Sequence, residues 1–318
     1  MSDSSRVLVL AGGLSHERDV SLRSGRRVAE ALRGEGLTVE LADADAQLLE
    51  LIGAWGPDVV FPVLHGSAGE DGGLRAVLDL VGVSYVGAGP VACRLAFDKP
   101  TARAVVTSTG VAVPEGVAIA HSTFRELGAA RVLRALVDRV GLPLVVKPCR
   151  GGSSLGMSVV RSVEALPAAM VAAYAYGDSA LVERLVVGTE VAVSVLDLDP
   201  DGPIALPAVE IVPDAGVYDY AARYTAGMTE FFAPARLDEA VSRRAGAAAL
   251  AAHRALDLRD LSRTDLIVDA AGQPWFLEVN VAPGMTETSL LPQAVLAAGR
   301  SLGEVYRGLV ERARARRR

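Results

Sequence analysis

A β-hairpin pattern that carries acids inside its strands constrains this chain more than any other stretch. The runs Thr264–Asp269 and Pro274–Val279 have β character, and the Ala-Gly-Gln between them is turn chemistry. Asp265 and Glu278 each stand inside an otherwise apolar run, and Asn280 follows two residues after Glu278. Two carboxylates buried side by side need a cation, because an unpaired buried charge is costly. Mg²⁺ combines one or two carboxylates with waters and phosphate oxygens, so the pattern predicts a Mg²⁺-nucleotide site.

The same acids also have an ordinary structural explanation. Asp265 and Glu278 could pair with Arg263, or they could face water on an exposed strand, since strand acids are common on solvated faces. Both explanations stay open from this stretch alone, and other segments must decide between them.

A glycine- and serine-rich loop upstream favours the nucleotide interpretation. Leu142–Pro148 has the pattern of a strand with Lys147 near its end, and CRGGSSLG follows before a second β run, MSVVRS. Backbone N–H groups of such a loop can bind phosphate oxygens, and the lysine adds positive charge. A P-loop would instead continue from its glycines into a helix through Gly-Lys-Ser/Thr. The order found here predicts a hairpin that covers a nucleotide, although many ordinary hairpins are glycine-rich too.

The first 88 residues alternate between strand and helix patterns. Arg6–Leu10 and Val59–Leu64 are β runs and Val20–Arg33 has helical periodicity, which predicts the α/β class with an open parallel sheet. The turn after the first run lacks G-x-G-x-x-G, so NAD binding is not predicted. Glu17 and His65 lie where strands end, which is where open sheets bind ligands. A surface salt bridge for Glu17 and a hydrogen-bonded loop histidine at position 65 are the alternatives.

A composition shift at Gly87–Pro90 predicts a link from the first domain into a second, and 318 residues are enough for two or three domains. The segment Asp98-Lys99-Pro100 is predicted to open a helix with proline at its first position, which runs to about Gly110. Lys99 at that helix start could reach an anion. Further on, Val111–Ala120 is predicted as a strand and Phe124–Arg139 as one amphipathic helix.

Two acids and a long polar segment follow the glycine-rich loop. Glu183 lies in the β run Ala180–Leu185, and Glu190 comes shortly after it. These acids could accept hydrogen bonds from ribose hydroxyls or an exocyclic amine, or they could be edge-strand charges. Residues 213–234 form a long polar stretch, which is typical of a lid. Three tyrosines in that stretch could be core anchors or ligand contacts: Tyr218, Tyr220 and Tyr224.

Charge and cysteine content exclude several classes of function. With 32 basic and 38 acidic residues the net charge is −6, so the chain has no general attraction for nucleic acid or anionic membranes. Cys93 and Cys149 are too few for a disulfide framework. The amino terminus lacks the apolar length of a signal peptide and no run is long enough to span a bilayer, so we expect a cytoplasmic protein. The arginine-rich residues 312–318 are predicted to be a solvated helix end rather than a binding patch.

Taken in order, these motifs resemble the D-alanine–D-alanine ligases of the ATP-grasp superfamily. The matching segments, which span residues 11 to 290, are AGGLSHERDVSL, LHGSAGEDG, FDK, VVKPCRGGSSLGMS, LVERLVVGTE, YDYAARY, RTDLIV and FLEVNVAPGMTETSL. The resemblance implies three domains: an amino-terminal α/β domain with the first substrate site (residues 1–88), a central ATP-grasp subdomain with the glycine-rich loop (89–180), and a carboxyl-terminal ATP-grasp subdomain with lid and metal site (181–318). It also implies ATP-dependent joining of two D-alanines through a D-alanyl phosphate, for peptidoglycan synthesis, or joining of D-alanine to D-lactate or another amino acid.

The resemblance assigns roles to individual residues. It implies that the nucleotide is contacted by Lys99, Lys147, Ser154, Glu183, Val186, Glu190 and Arg223. It implies two Mg²⁺ ions, which Mn²⁺ can replace, bound by Asp265, Glu278 and Asn280. It implies that the developing oxyanion is stabilised by Arg263 and the backbone of Gly284. A hydrogen-bonded trio that ties the lid to the first substrate site comprises Glu17, Ser153 and Tyr224. Substrate contacts fall to Glu17, His65, Ser289 and Leu290.

The chain departs from the family pattern in three places. Arg223 replaces a lysine, Val281-Ala282 replaces a more polar pair, and Gly151 stands where an acid is common. Tyr224, rather than phenylalanine, is similar to ligases that make the dipeptide and not the ester. The resemblance further implies a homodimer.

Overall fold

The computed structural model of this chain describes residues 5–214, 216, 218, 222, 223, 225 and 227–316. Its first strands are β1 (Arg6–Ala11), β2 (Thr38–Asp43), β3 (Val59–Pro62) and β4 (Ser84–Tyr85). They form a parallel sheet in the order β2-β1-β3-β4, so the predicted open parallel sheet is confirmed. Four helices connect or flank these strands: α1 (Arg18–Gly34), α2 (Leu48–Trp55), α3 (Ser67–Glu70) and α4 (Gly73–Leu80).

The middle of the chain forms an antiparallel sheet with helices on it. Its helices are α5 (Pro90–Phe97), α6 (Lys99–Thr107), α7 (His121–Glu126), α8 (Ala129–Val140) and α9 (Leu166–Tyr174), with one 3-10 turn at Val163–Ala165. Its strands are β5 (Gly116–Ala120), β6 (Leu144–Pro148), β7 (Ser158–Val160) and β8 (Ser179–Arg184). The strand order is β5-β8-β6-β7, and β6 and β7 form the hairpin that the glycine-rich loop predicts.

The third sheet is also antiparallel and is the largest. Its strands are β9 (Thr189–Leu196), β10 (Ile204–Ala205), β11 (Val209–Pro213), β12 (Thr229–Phe232), β13 (Leu261–Val268) and β14 (Pro274–Asn280). The order is β12-β11-β9-β13-β14, with β10 paired to β9. The remaining helices are α10 (Glu239–Ala255), α11 (Leu290–Ala297) and α12 (Leu302–Ala315). Among the helices that the structure describes, none combines the length and apolar composition that a bilayer crossing requires.

The apolar cores do not follow the order of the chain. Helix α12 returns to the amino-terminal sheet, where Tyr306 packs edge-to-face on Phe61 with ring centroids 5.9 Å apart. Helices α5 and α6 pack on the third sheet, and Ala102 and Val106 share a core with Phe276. The amino-terminal sheet and the third sheet therefore share one apolar core.

Several predicted elements end at different places in the structure. The strand predicted at Val111–Ala120 is wrong before Gly116, because Ala112 bridges to Trp275 of the third sheet. The helix predicted at Phe124–Arg139 is two helices, broken at Gly128, which adopts a φ of +84°. The polar stretch 213–234 contains strand β12, which pairs with β11. The proposed domain limit after residue 180 falls inside β8, so we place it after Arg184 as a revised proposal.

The arginines at the end of α12 make ion pairs and are not simply solvated. Arg312 lies 2.8 Å from Asp197, and Arg316 donates to both carboxylate oxygens of Asp260 at 2.6 Å. Asp260 is fully buried, has a φ of +66°, and also accepts from the backbone N–H of Gly87 at 2.7 Å. Asp260 therefore joins the end of the chain to the linker that leaves the amino-terminal sheet.

Candidate active site

The acid-bearing hairpin is the centre of the candidate site. In the β13–β14 register Asp265 lies opposite Glu278 and Arg263 lies opposite Asn280. Arg263 donates to both oxygens of Asp265, from Nε at 2.7 Å and from Nη2 at 2.9 Å. The Asn280 amide lies 3.4 Å from Asp265 Oδ2. The structure therefore pairs Asp265 with Arg263, which was one of the alternatives considered from the sequence. The other alternative, that Asp265 faces water, does not hold, because its side chain is 3 % exposed.

A different cation holds Glu278. Lys99 lies at the start of α6, and its Nζ is 3.0 Å from Glu278 Oε2 and 2.6 Å from the carbonyl oxygen of Gly151. Burial would raise the pKa of Glu278, but the charges of Lys99, Lys147 and Arg223 outweigh burial and lower that pKa to about 2. Glu278 is therefore ionised at neutral pH.

Glu183 is another carboxylate of the site, it is buried, and it pairs with two cations. Lys147 Nζ lies 2.5 Å from one oxygen, and Arg103 donates to the other. Arg103 also donates to the carbonyl oxygen of Pro114. Sequence reasoning missed Arg103, although its position one helical turn after Lys99 on α6 places both cations on the same face.

The glycine-rich loop reaches both the amino-terminal sheet and the third sheet. Ser153 and Ser154 have φ values of 53° and 56°, a conformation that non-glycine residues adopt at a cost and that often marks functional loops. Ser153 donates to Glu17, which is 9 % exposed, so Glu17 is not a surface salt-bridge residue. Ser154 donates to the carbonyl oxygen of Tyr218 at 3.0 Å and accepts from Arg223 Nε at 3.1 Å.

Tyr218 is a core anchor that also contacts a predicted site residue. Its ring is buried, and the guanidinium of Arg223 stacks over it at 4.2 Å from the ring centroid. Tyr224, expected to complete the trio with Glu17 and Ser153, and Tyr220 lie outside the described residues. The contact between Glu17 and Ser153 is the part of the trio that the structure places together.

One cavity, of about 530 Å³, lies between the central hairpin and the third sheet. Every residue expected to contact nucleotide lines it: Lys99, Lys147, Ser154, Glu183, Val186, Glu190 and Arg223. Asp265 and Glu278 also line it, and its apolar wall includes Met157, Ile267 and Leu277. An apolar slot with acids and cations at one end suits a planar base linked to phosphates.

A second cavity, of about 340 Å³, adjoins the amino-terminal sheet. It is lined by the residues expected to act on or bind the amino acids: Glu17, His65, Ser153, Arg263, Gly284, Ser289 and Leu290. Glu278, Tyr218 and Arg223 line both cavities, so the two spaces meet at Glu278 and Arg223. At Gly284 a Cβ would lie 2.7 Å from Ser289 Oγ, so only glycine fits there without displacing Ser289.

His65 is a fully hydrogen-bonded residue of the second cavity. Its Nδ1 donates to the carbonyl oxygen of Ala282 at 2.9 Å, and its Nε2 lies 3.4 Å from Ser24 Oγ. Ser24 also accepts from the backbone N–H of Met285 at 3.1 Å. Burial lowers the pKa of His65, which keeps the imidazole neutral. These bonds connect β3 and α1 to the loop after β14.

Two further acids, one buried and one partly buried, face the cavities. Glu70 lines the second cavity, and burial, together with the charge of Glu17, raises its pKa to about 8. Sequence reasoning gave Glu70 no role, although it lies in the segment LHGSAGEDG. Burial raises the pKa of Glu190 to about 7 despite the cation Arg223, and the charges of Asp265 and Glu278 add to that rise.

The chemistry of the donors tests whether the hairpin could hold Mg²⁺. Within the described part of the chain, no three His, Cys, Asp or Glu side chains form a metal-binding group. The available set is therefore the carboxylates of Asp265 and Glu278 with the amide of Asn280. Two carboxylates and an amide suit Mg²⁺ when phosphates and waters complete its coordination, so these residues fit the ion.

Comparison with known proteins identifies the family to which this chain belongs. A family profile described as "D-ala D-ala ligase C-terminus" matches residues 105–311, and one described as "D-ala D-ala ligase N-terminus" matches residues 50–88. A D-alanine–D-alanine ligase of Anaeromyxobacter dehalogenans is 42% identical over 302 residues, which is 94% of each chain. The corresponding ligase of Desulforudis audaxviator is 40% identical and covers 98% of this chain and 99% of its own.

Solved structures of D-alanine ligases also resemble this chain over nearly its whole length. The VanG D-Ala:D-Ser ligase from Enterococcus faecalis superposes with a TM-score of 0.83 at 28% identity, covering 98% of this chain and 100% of that one. A D-alanine–D-alanine ligase from Bacillus anthracis complexed with ATP gives 0.81 at 25% identity, covering 99% of both chains. The fold is thus the ATP-grasp fold of these enzymes, preceded by a parallel sheet. By sequence and by structure, this chain belongs to the D-alanine–D-alanine ligase family.

Proposed function

We propose that this chain joins two D-alanine molecules into D-alanyl-D-alanine and converts ATP into ADP and phosphate. A carboxylate is a poor acyl donor, because attack on it must expel an oxide. Transfer of the γ-phosphoryl group to the first D-alanine gives a D-alanyl phosphate, whose phosphate is a good leaving group. The amine of the second D-alanine then attacks the carbonyl carbon, the new C–N bond forms and phosphate leaves. The product is the dipeptide used in peptidoglycan precursors.

The observation that carries this proposal is the meeting of the two cavities. Glu278 and Arg223 line both, so a nucleotide in the first cavity can direct its phosphates toward a carboxylate in the second. Such an arrangement brings the reacting oxygen and the phosphoryl group together, which is the main contribution of a protein to phosphoryl transfer.

The residues around the two cavities have distinct tasks in this proposal. Lys99 and Lys147 provide positive charge near the phosphates, and in the chain without nucleotide each of these ammonium groups pairs with an acid, Glu278 and Glu183 respectively. Arg263 and Gly284 line the second cavity, where the guanidinium and the backbone N–H would stabilise negative charge on the carbonyl oxygen under attack. Mg²⁺ held by Asp265, Glu278 and Asn280 would neutralise charge on the transferring group.

The glycine-rich loop excludes water from the intermediate. Ser153 and Ser154 hold this loop against Glu17 and Tyr218, at the border of the two cavities. Exclusion of water by this loop would protect an acyl phosphate from hydrolysis. The resemblance implies Tyr224 as a third partner of Glu17 and Ser153.

The second substrate is the least constrained part of this proposal. Arg223 replaces a lysine next to the expected lid tyrosine, and it is held by Ser154 and Tyr218. A guanidinium and an ammonium are not interchangeable, so a ligase that takes D-lactate or another D-amino acid is the alternative.

We also propose a cytoplasmic homodimer with two Mg²⁺ ions, replaceable by Mn²⁺.

The test is release of ADP by purified protein with ATP, Mg²⁺ and single candidates for the second substrate. D-Alanine alone should support turnover with D-alanyl-D-alanine as the product identified by mass spectrometry. L-Alanine should give none. Turnover only with D-lactate or D-serine added to D-alanine would favour the alternative, and absence of any D-alanine-dependent turnover would refute both.

A further inference from the structure

Glu183 has more positive charge around it than one carboxylate needs. Its side chain is 3% exposed, and it receives Lys147 on one oxygen and Arg103 on the other. Lys147 lines the nucleotide cavity, whereas Arg103 does not. Arg103 lies behind Glu183, is 7% exposed, and is also bonded to the carbonyl oxygen of Pro114. The two cations therefore differ in what else they can reach.

Lys147 cannot fully neutralise Glu183 and a phosphate at the same time. An ammonium has three N–H donors, so Lys147, which lies 2.5 Å from Glu183, could also contact a phosphate oxygen, but its single positive charge would then be shared between two anions. A buried carboxylate that loses its cation is costly, and breaking a buried pair by removing one partner is strongly unfavourable. Binding of a nucleotide would carry this cost if Lys147 were the sole cation at Glu183.

We propose that Arg103 is a positioning residue that remains on Glu183 when Lys147 moves to the nucleotide phosphates. Arg103 keeps the buried carboxylate neutralised, so Lys147 is free to contribute its charge to ATP. Helix α6 thereby presents two cations on one face: Lys99, which meets Glu278 in the cavity, and Arg103, which supports the acid opposite. This inference rests on the proposed use of ATP and assigns a role to a residue outside the cavity lining.

The test is a double-mutant cycle on nucleotide affinity. Calorimetric titration of the full chain uses Mg²⁺ and the non-hydrolysable imido analogue of ATP, with D-alanine absent. Arg103→Met should weaken binding by about 10- to 100-fold, because Glu183 then retains Lys147. Arg103→Lys should stay within about threefold of the parent, since it keeps the charge. Arg139→Met, which breaks an exposed pair with Glu115, is the control and should leave affinity unchanged.

Glu183→Gln removes the charge that Arg103 is proposed to neutralise. In that background Arg103→Met should change affinity by less than about twofold, and adenosine binding by the Arg103→Met single variant should also change little. An equal loss in both backgrounds, or an equal loss for adenosine, would overturn the proposal, because Arg103 would then be only a packing residue.

Folding of the variants is informative as well. If Arg103→Met does not fold but the double variant with Glu183→Gln does, the unpaired charge is the cause and the proposal is supported. Failure of both variants to fold would overturn it. D-Alanine-dependent ADP release by the parent protein is measured separately, so a chain that shows the predicted affinities without that turnover would refute the proposed ligase activity alone.

Discussion

Asp265 and Glu278 lie opposite each other on adjacent antiparallel strands, yet a different cation holds each of them. Arg263, two residues before Asp265 on the same strand, binds both oxygens of that carboxylate, and Lys99 comes from α6 to reach Glu278. Each of the two carboxylates is therefore paired with its own cation. This pairing makes the hairpin suitable for a cation that arrives together with nucleotide.

Glu278→Gln should remove turnover while the chain stays folded. The change takes one carboxylate from the proposed Mg²⁺ ligands, and we expect kcat to fall by about 10²- to 10³-fold or more. Lys99 keeps its bond to the carbonyl oxygen of Gly151, so circular dichroism should be unchanged. Glu287→Gln, an exposed acid paired with Arg27, is the matched control and should retain full activity. An unchanged rate in Glu278→Gln would discredit the metal assignment.

Ser153→Ala should loosen the glycine-rich loop from the amino-terminal sheet. Removal of the bond from Ser153 to Glu17 should raise the KM for D-alanine by about tenfold, which corresponds to one hydrogen bond to a charged group. It should also increase ADP release without dipeptide, because water then reaches the acyl phosphate. Ser162→Ala lies on the exposed surface just after β7 and serves as the control. Equal ratios of dipeptide to ADP in all three proteins would contradict the role of the loop.

Asp260→Asn should destabilise the fold without touching the cavities. Asparagine tolerates the positive φ, but loss of the charge weakens the bonds from Arg316. We expect the free energy of unfolding in urea to fall by about 1–3 kcal/mol. Asp257→Asn is a close control, since Asp257 also has a positive φ, of 54°, but is exposed. Similar stability losses in both variants would show that backbone conformation, and not the ion pair, matters.

His253 should make the stability of the fold depend on pH. It is buried against β13, where Nδ1 lies 2.8 Å from Ser262 Oγ, and burial lowers its pKa from 6.5 to about 4. In the unfolded chain His253 takes up a proton as the pH falls through 6.5, whereas in the folded chain it stays neutral until about pH 4. The free energy of unfolding therefore falls as the pH drops from 6.5 toward 4. Between pH 7 and pH 5 this group accounts for a loss of about 2 kcal/mol.

The His253 prediction is checked by urea unfolding at both pH values. His253→Gln should lose less stability between pH 7 and pH 5 than the parent, because position 253 no longer titrates. His65, also buried with a lowered pKa, continues to contribute in both proteins. Identical pH dependence in the two proteins would contradict the assignment to His253.

The sequence was informative wherever a residue type and a local pattern coincide. The parallel sheet, the glycine-rich hairpin and the strands around Asp265 and Glu278 follow from periodicity and turn residues, and the structure has all of them. The local sequence pattern does not show that residues 111–114 associate with the third sheet, because Ala112 pairs there with Trp275, which is far away in the sequence. Gly128 is a potential break in the sequence, but the amphipathic pattern on either side of it predicts one helix, whereas the structure has two.

The contacts that complete the site depend on tertiary structure. Nothing near Arg103 in the sequence points to Glu183, which lies 80 residues away. Asp260 and Arg316 are 56 residues apart, and each would pass for a surface charge. Glu70 stands in a polar segment of the sequence, and only the packed structure shows that it is buried. Pairing of distant charges cannot be derived from periodicity, which reports only neighbours along one element.

The most direct test of this account is a crystal structure of the chain with ADP and Mn²⁺, using the anomalous signal of manganese. We predict anomalous peaks within coordination distance of Asp265, Glu278 and Asn280, with the diphosphate of ADP on the other side of the metal. Manganese peaks elsewhere, with those three side chains still bound only to Arg263 and Lys99, would contradict the central claim that this hairpin holds the metal of an ATP-dependent ligase.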